Sequence, residues 1–199
     1  MRLKQTSFKK MLFTFIALVS FTFIGAVNVN AEEVEIADSI DTITTYMNDE
    51  TTDIVKLNKD ITFSGQDLIF YIKKDKTLDL NGYSIISDNN AGYGIKFWYY
   101  KNASVKLIDS SNSGTSKIKL TYSGYSNFAF NNSIVGSDVT SADFSIDGVD
   151  FESLSDKPYL ISSGNSKKLG NLSIKNSNIV GFYQILSLSV NYKLAVSKL

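Results

Sequence analysis

The chain has 199 residues, with 20 Lys+Arg, 20 Asp+Glu, no His and no Cys, so its formal net charge is +0. Those absences exclude a disulfide framework, zinc-finger spacing, a Cys nucleophile and a Ser-His-Asp triad. Neutrality also speaks against a nucleic-acid binder, which carries a basic excess or stripe.

Residues 1–31 read as a secretory signal peptide. Arg2, Lys4, Lys9 and Lys10 form a positive leader, Met11 to Val27 is a nearly continuous apolar run, and Val29-Asn30-Ala31 offers small residues for cleavage. An uncleaved anchor is the alternative, but a run broken by Thr14, Ser20, Thr22 and Gly25 sits at the lower limit of the ~20 residues a spanning helix needs. Cleavage leaves Glu32 to Leu199, where 16 Lys face 20 acids and Arg is absent, a balance of −4. An exported chain of this kind must hold its fold by its core alone, since no disulfide restrains the unfolded state.

Residues 32–52 carry a short helix. Asp38 and Ser39 are N-cap residues, and Ile40, Ile43 and Met47 form one apolar stripe at i, i+3 and i+7. Asn48-Asp49-Glu50 form its exit. So short a helix needs something to pack against.

From residue 53 to 199 the pattern changes to short alternating runs separated by Asn, Asp, Gly and Ser clusters, which reads as strands and turns. Val55-Lys56-Leu57-Asn58 recurs as Leu78-Asp79-Leu80-Asn81, Val105-Lys106-Leu107-Ile108-Asp109, Phe144-Ser145-Ile146-Asp147 and Leu172-Ser173-Ile174-Lys175-Asn176. A second apolar position follows seven residues on, from Leu78 to Ile85, Phe144 to Phe151 and Leu172 to Ile179; the third copy has Asn112 there. Such copies are the coils of a solenoid, whose stacking buries one continuous core. Asn58, Asn81, Asp109, Asp147 and Asn176 are expected to stack as an Asx ladder at the corners. An antiparallel sandwich is the alternative, though its strand rhythm of ~8–12 residues is shorter than the spacing here.

The opening helix, then Asp53-Ile54-Val55-Lys56-Leu57 and Lys76-Thr77-Leu78-Asp79-Leu80-Asn81-Gly82-Tyr83-Ser84-Ile85, resembles the pectate-lyase-like adhesive domains of bacterial surface proteins. The resemblance implies an all-β fold, a right-handed parallel β-helix with a short N-terminal capping α-helix. It also implies a secreted or wall-associated role in adhesion or polysaccharide contact. The closing run Tyr192 to Leu199 reads as another strand rather than a cap, so either the C-terminal residues fold over the end or, the favoured expectation, the chain is a truncated member.

Two functional classes follow. Lyases of this fold generally use a basic residue, commonly Arg, and the segment after residue 31 has none. Lys96, Lys106 and Lys119 are available as atypical bases, and Asp143, Asp147, Asp150 and Glu152 form the one dense acidic group that a hydrolase could use. The binding alternative rests on aromatic residues. Tyr93, Trp98 and Tyr100, with Tyr122 and Tyr125 about one coil later, offer apolar faces with polar handles suited to sugar rings. The expected function is therefore a non-catalytic surface module for adhesion or polysaccharide binding, with a lyase or hydrolase as the alternative. Its partner is an extracellular polysaccharide or a host or wall surface; no cofactor, metal or nucleic acid is expected, and membrane contact is limited to export.

Overall fold

Alternation of apolar and polar residues gives a strand one buried and one outward face, and strands this short are stable only when paired. The computed structural model describes residues 31–88, 94–111, 113–121, 128–154, 159–163, 170–187 and 193–197. The chain divides into two units, 1–31 and 32–199. The expected export signal, apart from Ala31, lies outside the described residues, as do Tyr93, Tyr122 and Tyr125.

Strand β1 (Val34–Ala37) and helix α1 (Ile40–Asn48) come first, followed by β2 (Ile54–Leu57), β3 (Ile61–Phe63) and β4 (Leu68–Ile72). The same three-strand unit then repeats. It recurs as β5 (Lys76–Asp79), β6 (Ile85–Ser87) and β7 (Ile95–Tyr99), and as β8 (Ala103–Ile108), β9 (Lys117–Leu120) and β10 (Phe128–Ile134). Next come β11 (Ala142–Asp147), β12 (Asp150–Ser153) and β13 (Tyr159–Ser163), then β14 (Asn171–Lys175), β15 (Ile179–Val180), β16 (Gln184–Ser187) and finally β17 (Lys193–Ser197). Strands three apart in the chain lie side by side. The first sheet runs β1-β2-β5-β8-β11-β14-β17, the second β3-β6-β9-β12-β15 and the third β4-β7-β10-β13-β16. The pairings are parallel in all three sheets, which is a parallel β-helix and not an antiparallel sandwich.

The interior is built from rows of like residues. In the second sheet Ile61, Ile85, Ile118, Phe151 and Ile179 stand in one register row. Ile118 therefore occupies the place that spacing assigned to Asn112, because the corner before β9 is longer than in other coils. Phenylalanines from all three faces meet at the middle. Phe97 and Phe130 of the third sheet lie 5.8 Å apart, each is 5.3 Å from Phe144 of the first sheet, and Phe130 is 5.9 Å from Phe151 of the second.

The register of the first sheet corrects one expectation. Val55 does pair with Leu78, Val105 with Phe144, and Phe144 with Leu172. Leu78, however, pairs with Leu107, and the residue opposite Val105 is Lys76. A slip of two residues keeps every side chain on its own face, so alternation alone does not reveal it.

Helix α1 stands where the first turn of the second and third sheets would be. Its N-cap is Ser39, whose hydroxyl accepts from the Thr42 amide while the Thr42 hydroxyl accepts from the Ser39 amide, a reciprocal capping box. Ile43 and Met47 are fully buried over the end of the core. At the other end, Lys76 supplies what the chain's own turn does not. Its ammonium donates to the carbonyls of Tyr46, Asp49 and Thr52. A cation there meets both unsatisfied carbonyls and the negative end of the helix dipole. Burial nevertheless pushes the Lys76 ammonium down to about 8, with Lys74 adding to the shift and Asp49, Asp53 and Glu33 opposing it.

Candidate functional site

The outward positions of the third sheet hold the aromatic residues. Strand β7 alternates, with Phe97 and Tyr99 buried in the core and Trp98 on the outer side, while Tyr100 just past its end is 40% exposed. On the preceding coil Tyr71 stands directly opposite Trp98. Its ring lies 5.7 Å from Trp98 and 6.0 Å, edge-on, from Tyr100. Tyr71 is 39% exposed and was not among the residues that composition singled out. A signal existed: Tyr71 precedes Trp98 by 27 residues, within the 23 to 39 that separate successive copies of the repeated segment. Of the five expected sugar-contacting residues, the structure brings Trp98 and Tyr100 together; Tyr93, Tyr122 and Tyr125 lie outside the described residues.

The helix end braces this strip. Asn48, the last helical residue, accepts the Tyr71 amide at 2.7 Å. Glu50 takes Lys73 at 3.0 Å and Lys101 at 3.7 Å, and the hydrogen bond from Lys73 holds the Glu50 carboxyl below its ordinary range. Upstream on the same face, Lys96 pairs with Asp67 at 2.5 Å. Beyond Trp98 the register row continues to Ser133 on β10. The Ser133 hydroxyl donates to Asn131 at 2.7 Å, whose amide donates in turn to Ser162 on β13 at 3.4 Å. Val135, just past β10, is 44% exposed. On the upstream side Ala129 and Leu160 are buried at outward positions, which bounds the accessible strip.

The five corner residues do not form one ladder. Asp147 stands opposite Ile108 and Lys175, one place before Asp109 and Asn176, while Lys56 stands opposite Asp79, which puts Asn58 and Asn81 a further place on. One pair of them bonds directly, and the others bond to different partners. Asn81 and Asn176 adopt positive φ of 50° and 51°, and Asn81 donates to the Leu57 carbonyl while Asn176 donates to Asp147 at 2.7 Å. Asp109 accepts the amides of Gly82 and Ser111, both at 3.0 Å. Burial pushes its carboxyl up, but hydrogen bonds from Ser111, Ser116 and Gly82 outweigh that and leave it below the ordinary range.

The dense acidic group has structural work as well. Asp143 accepts the Asn171 amide at 2.7 Å and Asp150 the Asn178 amide at 2.8 Å, each from the next coil. Asp60, Asp67 and Asp75 hold Ser84, Gly94 and Ser104 in the same way. Glu152 sits between Lys117 at 3.4 Å and Lys119 at 3.2 Å, and the Lys119 hydrogen bond leads in holding its carboxyl low. The Glu152 carboxylate thereby favours its ionised form, the opposite of what a general acid needs. Among the described residues no group of three acidic side chains is arranged to hold a metal ion. Comparison with family models, with curated proteins and with solved structures finds no match.

Proposed function

We propose that this chain is an exported, non-catalytic β-helix module that binds polysaccharide at an extracellular or wall surface. The observation that carries the reading is the braced aromatic strip of Tyr71, Trp98 and Tyr100 on the outer face of the third sheet. Rings that are partly exposed yet fixed by their neighbours offer apolar area at little entropic penalty, and each carries a polar group at its rim. A β-helix supplies the rigid floor: Phe70 and Phe97 lie buried beneath, 5.6 Å apart. The pectate-lyase-like resemblance and the expected signal peptide point the same way.

The test is retention of the purified chain on immobilised polysaccharides. Tyr71→Ala and Trp98→Ala are expected to lower affinity at least about tenfold, the effect of losing roughly 1.4 kcal/mol, while leaving the circular dichroism spectrum unchanged. Full retention by both folded variants would remove the strip as the binding site. Release of reducing ends or unsaturated products from those polysaccharides would replace binding with catalysis.

A further inference from the structure

We propose that the strip takes an uncharged glycan chain laid along the solenoid axis, its sugar faces on Tyr71 and Trp98 and its hydroxyls against Ser133 and Ser162. The inference rests on the glycan-binding reading and adds ligand charge and direction.

Direction follows from register. Tyr71, Trp98 and Ser133 form one row across three successive coils, and Ser162 lies on the fourth. Adjacent strands lie ≈ 4.8 Å apart, so the four strands from β4 to β13 span about 14 Å along the axis. Along any single strand, by contrast, outward aromatic character ends within two residues, at Trp98 on β7 with Tyr100 just past its end, and at Tyr71 on β4. A ligand that uses more than one ring and then reaches the hydroxyls must cross the strands.

Charge follows from the ion pairs. Lys96 is paired with Asp67, and Lys73 and Lys101 both contact Glu50, so each of these lysines already touches a carboxylate and three lysines against two carboxylates leave only one net positive charge beside the strip. The far end of the strip is a relay of neutral groups. Ser133 spends its proton on Asn131 and keeps its oxygen free to accept, Asn131 spends one amide hydrogen on Ser162, and the Ser162 hydroxyl has no acceptor for its own proton among the described residues. Acceptor and donor therefore alternate along the axis, which matches sugar hydroxyls, groups that both give and accept. Asn131 is nearly buried and acts as the positioning residue of the pair.

The experiment is titration calorimetry of the full chain with cello-oligosaccharides and manno-oligosaccharides of increasing length, and with oligogalacturonates of matching lengths, at low and high salt. Uncharged oligosaccharides are expected to bind more tightly as they lengthen, with affinity unmoved by salt. The double variant Ser133→Ala/Ser162→Ala should lose about tenfold for long chains and little for the shortest. Tighter binding of oligogalacturonates, weakening with salt as screened charges do, would overturn the charge inference and leave glycan binding standing. Affinity that is independent of length, or that the folded double variant retains, would overturn the axial placement. Failure of every oligosaccharide to bind the folded chain would overturn the glycan reading itself.

Discussion

Lys76 and Asn132 are two of the polar side chains at interior positions of this solenoid, and the molecule treats them differently. Lys76 at the N-terminal end takes an interior position in the row with Val105 and Phe144, is 3% exposed, and gives its ammonium to three carbonyls around the end of helix α1. Asn132, midway along, continues the interior row of Phe70 and Phe97, is 1% exposed, and has no hydrogen-bond partner for either amide atom among the described residues. The helix end explains the contrast. A cap has carbonyls left over, whereas the middle of a β-helix has already spent its backbone groups on neighbouring coils. A buried donor is therefore useful at one place and a burden at the other.

Shortening the lysine should have the largest effect. Lys76→Ala removes a buried stem and orphans the carbonyls, so a loss of about 2–4 kcal/mol is expected in urea unfolding; a loss under about 0.5 kcal/mol would mean that the helix end is satisfied by water. The charge itself gives the next test. The folded chain releases the Lys76 proton near 8 and the unfolded chain near 10.5. Between those values the unfolded state binds more protons, so stability should rise with pH, by about 3 kcal/mol at most. Lys76→Met should lack that part of the rise, and parallel pH profiles for the two proteins would contradict the assignment. Asn132→Leu should gain about 1–2 kcal/mol by removing the unpaired amide, and destabilisation in the same urea assay would show that the amide has a partner after all. Smallest is Ser39→Ala, expected to lose about 1 kcal/mol with the capping box.

Much of the architecture was legible, because apolar residues recur at coil spacing and Asn, Asp and Gly mark the corners. The helix at Ile40 to Asn48 was legible too, from Ser39 and the Ile43/Met47 stripe. Strand β1 was not, since Val34 and Ile36 face solvent on an edge and four residues make a weak pattern. The register at Lys76 was hidden for a physical reason: nothing in a local window says that a lysine has a helix end above it. Two of the strip's three rings, Trp98 and Tyr100, could be read from the Phe97 to Tyr100 cluster. Tyr71 could not be read there, because its neighbour in space is a coil away in sequence.

One corner also bears on how the protein ages. Asn81-Gly82 is the chain's one Asn-Gly bond, the kind at which the following amide nitrogen most readily closes on the carboxamide and turns Asn into aspartate or isoaspartate. Here the Gly82 amide is shared between Asp109 at 3.0 Å and Ser116 at 2.9 Å, and the Asn81 carboxamide is tied to Leu57 at 2.9 Å. Nucleophile and target are held by different coils, so the native fold slows its own chemical clock. Isoaspartate at residue 81 would record how long that corner has stood open.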